Sequence, residues 1–600
     1  MLYTPALTRK PDSVLKEQLE QLIVDALGRL VGSVIASPPP ADMIAVERTR
    51  DAQHGDFATN VALRLAKLAR RNPRELAQAI VGALPASPLV ARSEVAGAGF
   101  INFFLAPGAY AGEIARIHEL ADRYGESSHG AGRRLLVEFV SANPTGPLHV
   151  AHGRHAAYGA TLANLLAAAG FAVEREYYVN DAGRQMDILA LSVWLRYLQA
   201  CGEALEFPAN GYQGEYLRPI AAELRERAGE SLRRPAAEVL AGLPPDEPAG
   251  GDKDTYVDAL LARTRELIGA SALEEVLELA RDRLLANIRD DLEQFGVVFD
   301  RWFSERSLTT SGAIDRALAR LESQGRLYRK DGALWFRATE FGDEKDRVVV
   351  RENGQRTYFA SDIAYHLDKR ERGFERLIDV LGSGHHGYIA RVRAGLAAMG
   401  EPADCLEVPL IQVVTLFRGA EQIPMSKRSG QFVTLRELRE EVGNDACRFF
   451  FLMRGHEQPL DFDLELATAR TNENPVYYIQ YAHARGASVM KQLAARGLSF
   501  DRAQGLANLL LLSSAHEQAV TTLLARYPEV IEQAAAARAP QVLVHFLREL
   551  ANAFHTYYNA ERFIVEDSRL RDARLALVLA VQQVVRNGLN LLGVSAPETM

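Results

Sequence analysis

The chain of 600 residues has only three cysteines, Cys201, Cys405 and Cys447, far apart and without a CxxC pair. That excludes a disulfide framework or a cysteine-held zinc, and leaves reduced, buried thiols as the expectation. Lysine is scarce as well, with nine against 60 arginines. No uninterrupted apolar run approaches the roughly 20 residues that cross a bilayer, and the opening stretch MLYTPALTRKPDSVLKEQLE lacks the apolar core of a secretory signal. A cytoplasmic protein without a membrane partner is expected. Charge of one sign is not abundant either: 69 Lys+Arg face 77 Asp+Glu, for a net −8. It is unevenly placed, with +2 on residues 1–110, +2 on 466–600 and −12 between them, so a polyanion is better received at the ends than in the middle.

What is present is enough chain for three or four domains. Helical spacing over Val14–Leu30 and Phe57–Ala69 and a strand at Phe100–Leu105 predict an N-terminal α+β domain over 1–125, closed by a Gly/Ser-rich linker at Arg123–Gly132. From Leu135 the buried run LLVEFV, a helix from about Leu148 to Ala169, and FAVEREYYV make a strand–helix–strand unit. Strand candidates resume at Leu377–Leu381 and Val408–Phe417. The fold class expected is therefore α/β: a split, doubly wound, Rossmann-like catalytic domain over 126–465, with a mostly helical insertion at about 190–345. The Leu-, Ala- and Arg-rich remainder, 466–600, predicts an all-α bundle.

In NPTGPLHVAHGRH a turn leads directly into a helix whose first turn carries His149 and His152, on one face at i, i+3. Free N–H groups and the positive dipole end make such a helix start an anion site suited to polyphosphate. Far downstream, IPMSKRSGQFVTL sets Met425, Ser426 and Lys427 in a short polar loop, where a lysine can neutralise charge developing on departing pyrophosphate.

His149-Val150-Ala151-His152 resembles the HIGH motif and Pro424-Met425-Ser426-Lys427-Arg428 resembles the KMSKS loop of class I aminoacyl-tRNA synthetases. HGDFATNVALRLAK, VEFVSANPTGPLHVAHGRH, YVNDAGRQ, RTYFASDIAYHLDK, GHHGYIARVRA and YYIQYAHAR together resemble the arginyl-tRNA synthetases, over nearly the whole chain. The sequence departs from the pattern at Ala151, where the family has glycine; at Pro424, where the loop's first lysine is absent and Arg418 or Arg428 is a candidate substitute; and at Gly384, where an acid is frequent.

The resemblance implies an arginine–tRNA ligase that activates L-arginine with ATP and Mg²⁺ and passes it to the 3′ end of tRNA(Arg), without a tightly bound cofactor or a resident metal, as a monomer. It implies catalytic roles for His149, His152 and Lys427, and ATP contacts from these with Gly382, Gly384, His385, Met425 and Ser426. Arginine would meet Glu138, Asn143, His152, Tyr358, Asp362 and His386, a guanidinium being best held by a carboxylate fork. Tyr477, Tyr481, Arg485 and Tyr557 would meet tRNA bases, as an anticodon loop requires. The neighbouring cysteinyl enzymes are disfavoured because no cysteine cluster is available for their zinc. A silent tRNA-binding paralogue is the other alternative, motivated by Ala151 and Pro424.

Overall fold

The computed structural model describes residues 14–40, 43–49, 51–106, 108–402, 404–423 and 433–600. Its centre is a parallel sheet built from short apolar runs. Strand β1 (Arg134–Glu138) is buried in all but its first residue, and helix α1 (Val150–Ala168) returns the chain to β2 (Ala172–Val179). β3 (Arg301–Ser304), helix α2 (Tyr358–Glu371), β4 (Arg376–Asp379) and β5 (Leu406–Glu407) follow. The strand order β5-β4-β1-β2-β3 reverses at β1, so a crevice opens beyond the carboxyl ends of β1 and β4, where ligands of open α/β sheets bind. α1 lies close on the sheet because Gly159 has no side chain; a Cβ there would stand 2.2 Å from Phe139.

The register has an electrostatic consequence. Glu138 of β1 pairs across with Glu176 of β2 on one side and Asp379 of β4 on the other, so three acids stand in a row across the sheet. All three are buried. Like charges side by side in a low-dielectric interior require cations, and α2 supplies them from above with Lys369 and, just past its end, Arg372.

Three expectations need correction. The stretch expected as a mostly helical insertion at about 190–345 is mostly helical, but it also contains β3, which extends the main sheet, and the strands Leu327–Lys330 and Ala333–Phe336, which form a separate antiparallel sheet with Arg347–Val350 just beyond it. Four-residue strands are too short to show a period. Phe57–Ala69 is not one helix: Phe57–Thr59 is a strand of the N-terminal four-stranded sheet, and the helix is Val61–Ala69. The Gly/Ser-rich 123–132 is packed rather than a free linker. Tyr124 is buried, stacks on Tyr527, and bonds Glu113 and the Leu524 carbonyl, while Ser127 and Gly130 donate their N–H groups to the end of α1.

The terminal region is helical throughout, with Ser568–Leu592 at the centre of its bundle. By length and composition that helix could cross a membrane, but it is mostly buried among its neighbours. The N-terminal sheet is tied to this bundle by Arg48, whose guanidinium bonds both oxygens of Glu529 and lies over Phe57.

Candidate functional site

A cavity of about 740 Å³ occupies the crevice, walled by the turn after β1, the start of α1, the middle of α2 and the turn after β4. Its floor is the ion cluster. Lys369 Nζ donates to Glu138 Oε2 at 2.6 Å and to Asp379 Oδ1 at 2.8 Å. The Tyr365 hydroxyl stands 2.8 Å from Glu138 Oε2 and 2.7 Å from Glu176 Oε1, and Arg372 bonds both oxygens of Glu176. His366 faces an acceptor with each ring nitrogen, the Asp362 carbonyl and Asp379 Oδ2, both at 2.7 Å. Burial works against charge here, yet Asp379, Glu138 and Glu176 hold the Lys369 ammonium above its ordinary value. Lys369 and His366 likewise hold the Asp379 carboxyl well below its own, against the pull of burial.

The chain leaves β1 through a strained kink. Val140 and Ser141 have φ of +68° and +41°, and left-handed backbone is uncommon for any side chain and rarer still for a β-branched one. Several bonds hold it: Ser141 Oγ donates to Glu138 Oε1, the Tyr178 N–H donates to Ser141 Oγ, Asn180 Nδ2 to the Ser141 carbonyl, and the Tyr177 hydroxyl to the Ala142 carbonyl. The kink turns Asn143 outward, where its amide donates to Gln185.

His149 is the N-cap of α1 and His152 its third residue, and their rings stack with centroids 3.7 Å apart. His152 Nδ1 accepts the His149 N–H at 3.2 Å, so in the neutral ring the proton is on Nε2. Both rings therefore line the cavity at the positive end of a 19-residue helix. Lys427, Met425 and Ser426 lie outside the described residues. Their flanks are fixed at the site: the Ile423 N–H donates to Leu416, while the Leu435 N–H donates to Leu148 and the Val150 N–H to Val433, tying the downstream flank to the histidine turn.

At the opposite end the cavity is acidic. Asp362 lines it, and burial pushes its carboxyl up to about 6, although His366, a hydrogen bond with Tyr388, and Arg391 pull the other way. Glu305, at the end of β3, is raised to about 7 by burial and then by Asp362 and Asp181. The Tyr178 ring stands among Glu305, Asp362, Glu138 and Asp181, and its hydroxyl is pushed upward by burial and by all four. Two neighbouring carboxyls raised by burial suit a guanidinium, whose charge would favour the ionised form of both. Glu305 carries no motif in the sequence, and only the folded sheet brings it to Asp362. The ion cluster was equally hidden.

Tyr358 is exposed at the start of α2, on the same face as Asp362, with its hydroxyl close to Gly183; a Cβ on that glycine, whose φ is +87°, would stand 2.9 Å away. Gly382 and His385 line the cavity. A side chain at Gly384 would meet open space. His386 begins the helix His386–Ala398, and its side chain lies outside the described residues.

In the terminal bundle Tyr477 and Tyr481 stack at 6.1 Å, and the Arg485 guanidinium lies 4.5 Å from the Tyr481 ring and 4.7 Å from that of Tyr558. Tyr557 is a correction: it is fully buried against Phe563 with its hydroxyl toward Glu517, so it has no face to offer a base. Helical rotation presents Tyr558 instead.

Among known proteins, residues 17–105 match the arginyl tRNA synthetase N terminal domain, 117–212 and 271–452 the class I (R) tRNA synthetase catalytic domain, and 479–600 the DALR anticodon binding domain. An arginine–tRNA ligase of Thioalkalivibrio sulfidiphilus is 59% identical over 586 residues, covering 98% of this chain and 100% of its own. That of Hydrogenovibrio crunogenus is 53% identical, again over 98% and 100%. The arginyl-tRNA synthetase structure of Thermus thermophilus superposes with a TM-score of 0.71 at 25% identity, covering 98% of this chain and all of that one.

Proposed function

This chain belongs to the arginyl-tRNA synthetase family, and on that premise we propose how its cavity performs the ligation. The protein joins L-arginine to tRNA(Arg) at the expense of ATP. In the first step the arginine carboxylate oxygen attacks the α-phosphorus, a new P–O bond forms, and the bond to the bridging oxygen breaks to release pyrophosphate. In the second a hydroxyl of the terminal ribose attacks the activated carbonyl and AMP leaves.

We assign the helix-start end of the cavity to the triphosphate. His152 Nε2–H and the stacked His149 donate toward phosphate oxygens at the site of growing charge, and Lys427 stabilises the departing pyrophosphate. Gly382 and His385 border the nucleoside. The acidic end takes the side chain of arginine, with Asp362 and Glu305 as the fork and Tyr358 above it. Glu138 accepts from Ser141 and Lys369 and shares the single proton of the Tyr365 hydroxyl with Glu176, which leaves it capacity to accept from the α-amino group beside Asn143. No residue forms a covalent intermediate: the protein works by orientation and charge. Mg²⁺ enters on the ATP phosphates as part of that substrate. Tyr477, Tyr481 and Arg485, joined by Tyr558, offer the stacking surface for tRNA bases, and the enzyme acts as a cytoplasmic monomer.

The observation that carries this reading is one cavity lined both by the paired histidines at the start of α1, where the helix dipole and ring N–H groups suit phosphate, and by buried carboxylates that suit a cation. Charging of tRNA(Arg) transcript with labelled arginine tests it. Robust charging with arginine and none with lysine or citrulline is expected; acceptance of citrulline at a comparable rate would overturn the carboxylate fork.

A further inference from the structure

Two residues beyond His152, Arg154 leaves α1 on the side away from the cavity and is buried. We propose that Arg154 is a positioning residue for adenylate formation: its guanidinium fixes the root of the strand that precedes Lys427 in the chain against the helix that carries His149 and His152. The proposal rests on the assignment of Lys427 to the departing pyrophosphate. Strand Val414–Arg418 pairs in parallel with Leu460–Asp463, Val414 opposite Leu460. Gln412 and Gln458 each stand two residues before their strand, and Arg154 Nη1 donates to both carbonyls at 2.9 Å. Nη2 donates to the Gly455 carbonyl, also at 2.9 Å. Beside this grip the Gln412 N–H donates to the His456 carbonyl and the Leu460 N–H to that of Val413, so the two chain stretches move as one. One turn further along α1, Tyr158 packs on His456 with ring centroids 5.1 Å apart. The downstream flank, Val433 to Leu435, is bonded to Leu148 and Val150. Both flanks are thus referred to the first turns of one helix, the upstream one through Arg154.

The chemistry of the grip argues for geometry over stability. Its three bonds all go to backbone carbonyls and none to a carboxylate, and burial lowers the pKa to about 10 against the attraction of Glu457. A buried cation without an ion partner is a costly way to fill space. What the planar fork supplies is three carbonyls from two chain stretches held in one plane, a geometry that an ammonium does not reproduce. A catalytic group displaced by about 1 Å loses on the order of a hundredfold in rate, so a smaller shift passed along Val414–Arg418 is expected to cost about tenfold.

The test is a double-mutant cycle on the full-length protein, read as single-turnover pyrophosphate release with ATP, arginine and tRNA(Arg). Arg154→Lys keeps the charge and loses the fork. It should slow release about tenfold while the KM values for ATP and arginine stay within about twofold. In a Lys427→Ala background the same change should cost less than about twofold, because the group it positions is gone. Arg448 is the control: it too is buried and bonded to carbonyls, those of Leu592, Phe295 and Gly296, at the ends of two other helices. Any cost of Arg448→Lys should be the same with and without Lys427. A wild-type rate for Arg154→Lys, an equal loss in both backgrounds, a rise in both KM values, or coupling as strong at Arg448 would each overturn the proposal. If Arg154→Lys does not fold, Arg154→Gln takes its place with the same expectations, and loss of folding in both would assign Arg154 to stability and overturn it as well. A Lys427→Ala variant at wild-type rate would instead strike the assignment of Lys427 and carry this proposal with it, so the two failures are told apart.

Discussion

Arginine affinity should fall steeply with acidification because the two carboxyls meant for the guanidinium titrate near neutrality. Asp362 is raised to about 6 and Glu305 to about 7, with burial the first cause of each. The ionised forms bind the cation, so binding is full above both values and is lost as pH falls through about 7 and then 6. If both must be ionised, the competent fraction drops from roughly 0.9 at pH 8 to roughly 0.045 at pH 6, about a twentyfold loss or ~1.8 kcal/mol. Arginine itself does not change charge across this window, which leaves the protein as the source. Calorimetric titration of the full-length enzyme with arginine at both pH values, in buffers of differing ionisation enthalpy, reads the affinity and the protons released on binding. Release of about one proton near pH 6.5 is expected, and Glu305→Gln should abolish most of it. A change of affinity below threefold, or proton uptake in place of release, would refute the reasoning.

Lys369→Met should cost about 3–5 kcal/mol of stability, since it leaves Glu138 and Asp379 buried without their cation, and a melting curve reads it; a loss below about 1 kcal/mol would show that the cluster repacks. Lys427→Ala should slow adenylate formation by about a hundredfold, one charge contact to the transition state being worth roughly 3 kcal/mol, while the arginine dissociation constant stays put. Single-turnover activation at near wild-type rate would place that charge elsewhere. Arg485→Ala should raise the KM for tRNA without altering arginine or ATP binding, and Tyr557→Phe should leave that KM unchanged; the reverse pattern would restore Tyr557 to the tRNA surface.

Long periodic elements and sharp turn chemistry were legible in the sequence. The helix expected from Val14 to Leu30 has those limits, and the one expected at about Leu148–Ala169 runs from Val150 to Ala168. The i, i+3 spacing of His149 and His152 announced a shared face, which appears as stacked rings. Strand β3 escaped because four residues hold no readable period, and with it went Glu305, whose role depends wholly on where that strand lies. The floor escaped for a related reason: Glu138 and Lys369 are 231 residues apart, so no local pattern links them. Tyr557 and Tyr558 are adjacent aromatics, and spacing alone does not decide which of the two faces inward. The left-handed pair Val140–Ser141 contradicts the preference of its own residues and could be found only from the bonds that hold it.

That separation of 231 residues also bears on how the protein is made. At a synthesis rate of about 5–20 residues per second, roughly 12–46 s pass between the emergence of Glu138 and that of Lys369. During this interval β1, α1 and β2 have all they need to pair, but docking them fully would bury Glu138 beside Glu176 without Lys369 and Arg372, leaving only Arg301, once it is made, against Glu176. The nascent half-sheet must therefore remain open to water at this edge until α2 arrives. A ribosome stalled between Val179 and Lys369 would expose an acidic, half-built sheet with one unpaired strand edge, a ready target for chaperones and proteases. Closure of the sheet and assembly of the substrate floor then happen together, so a chain that has finished its core has, by the same event, finished its active site.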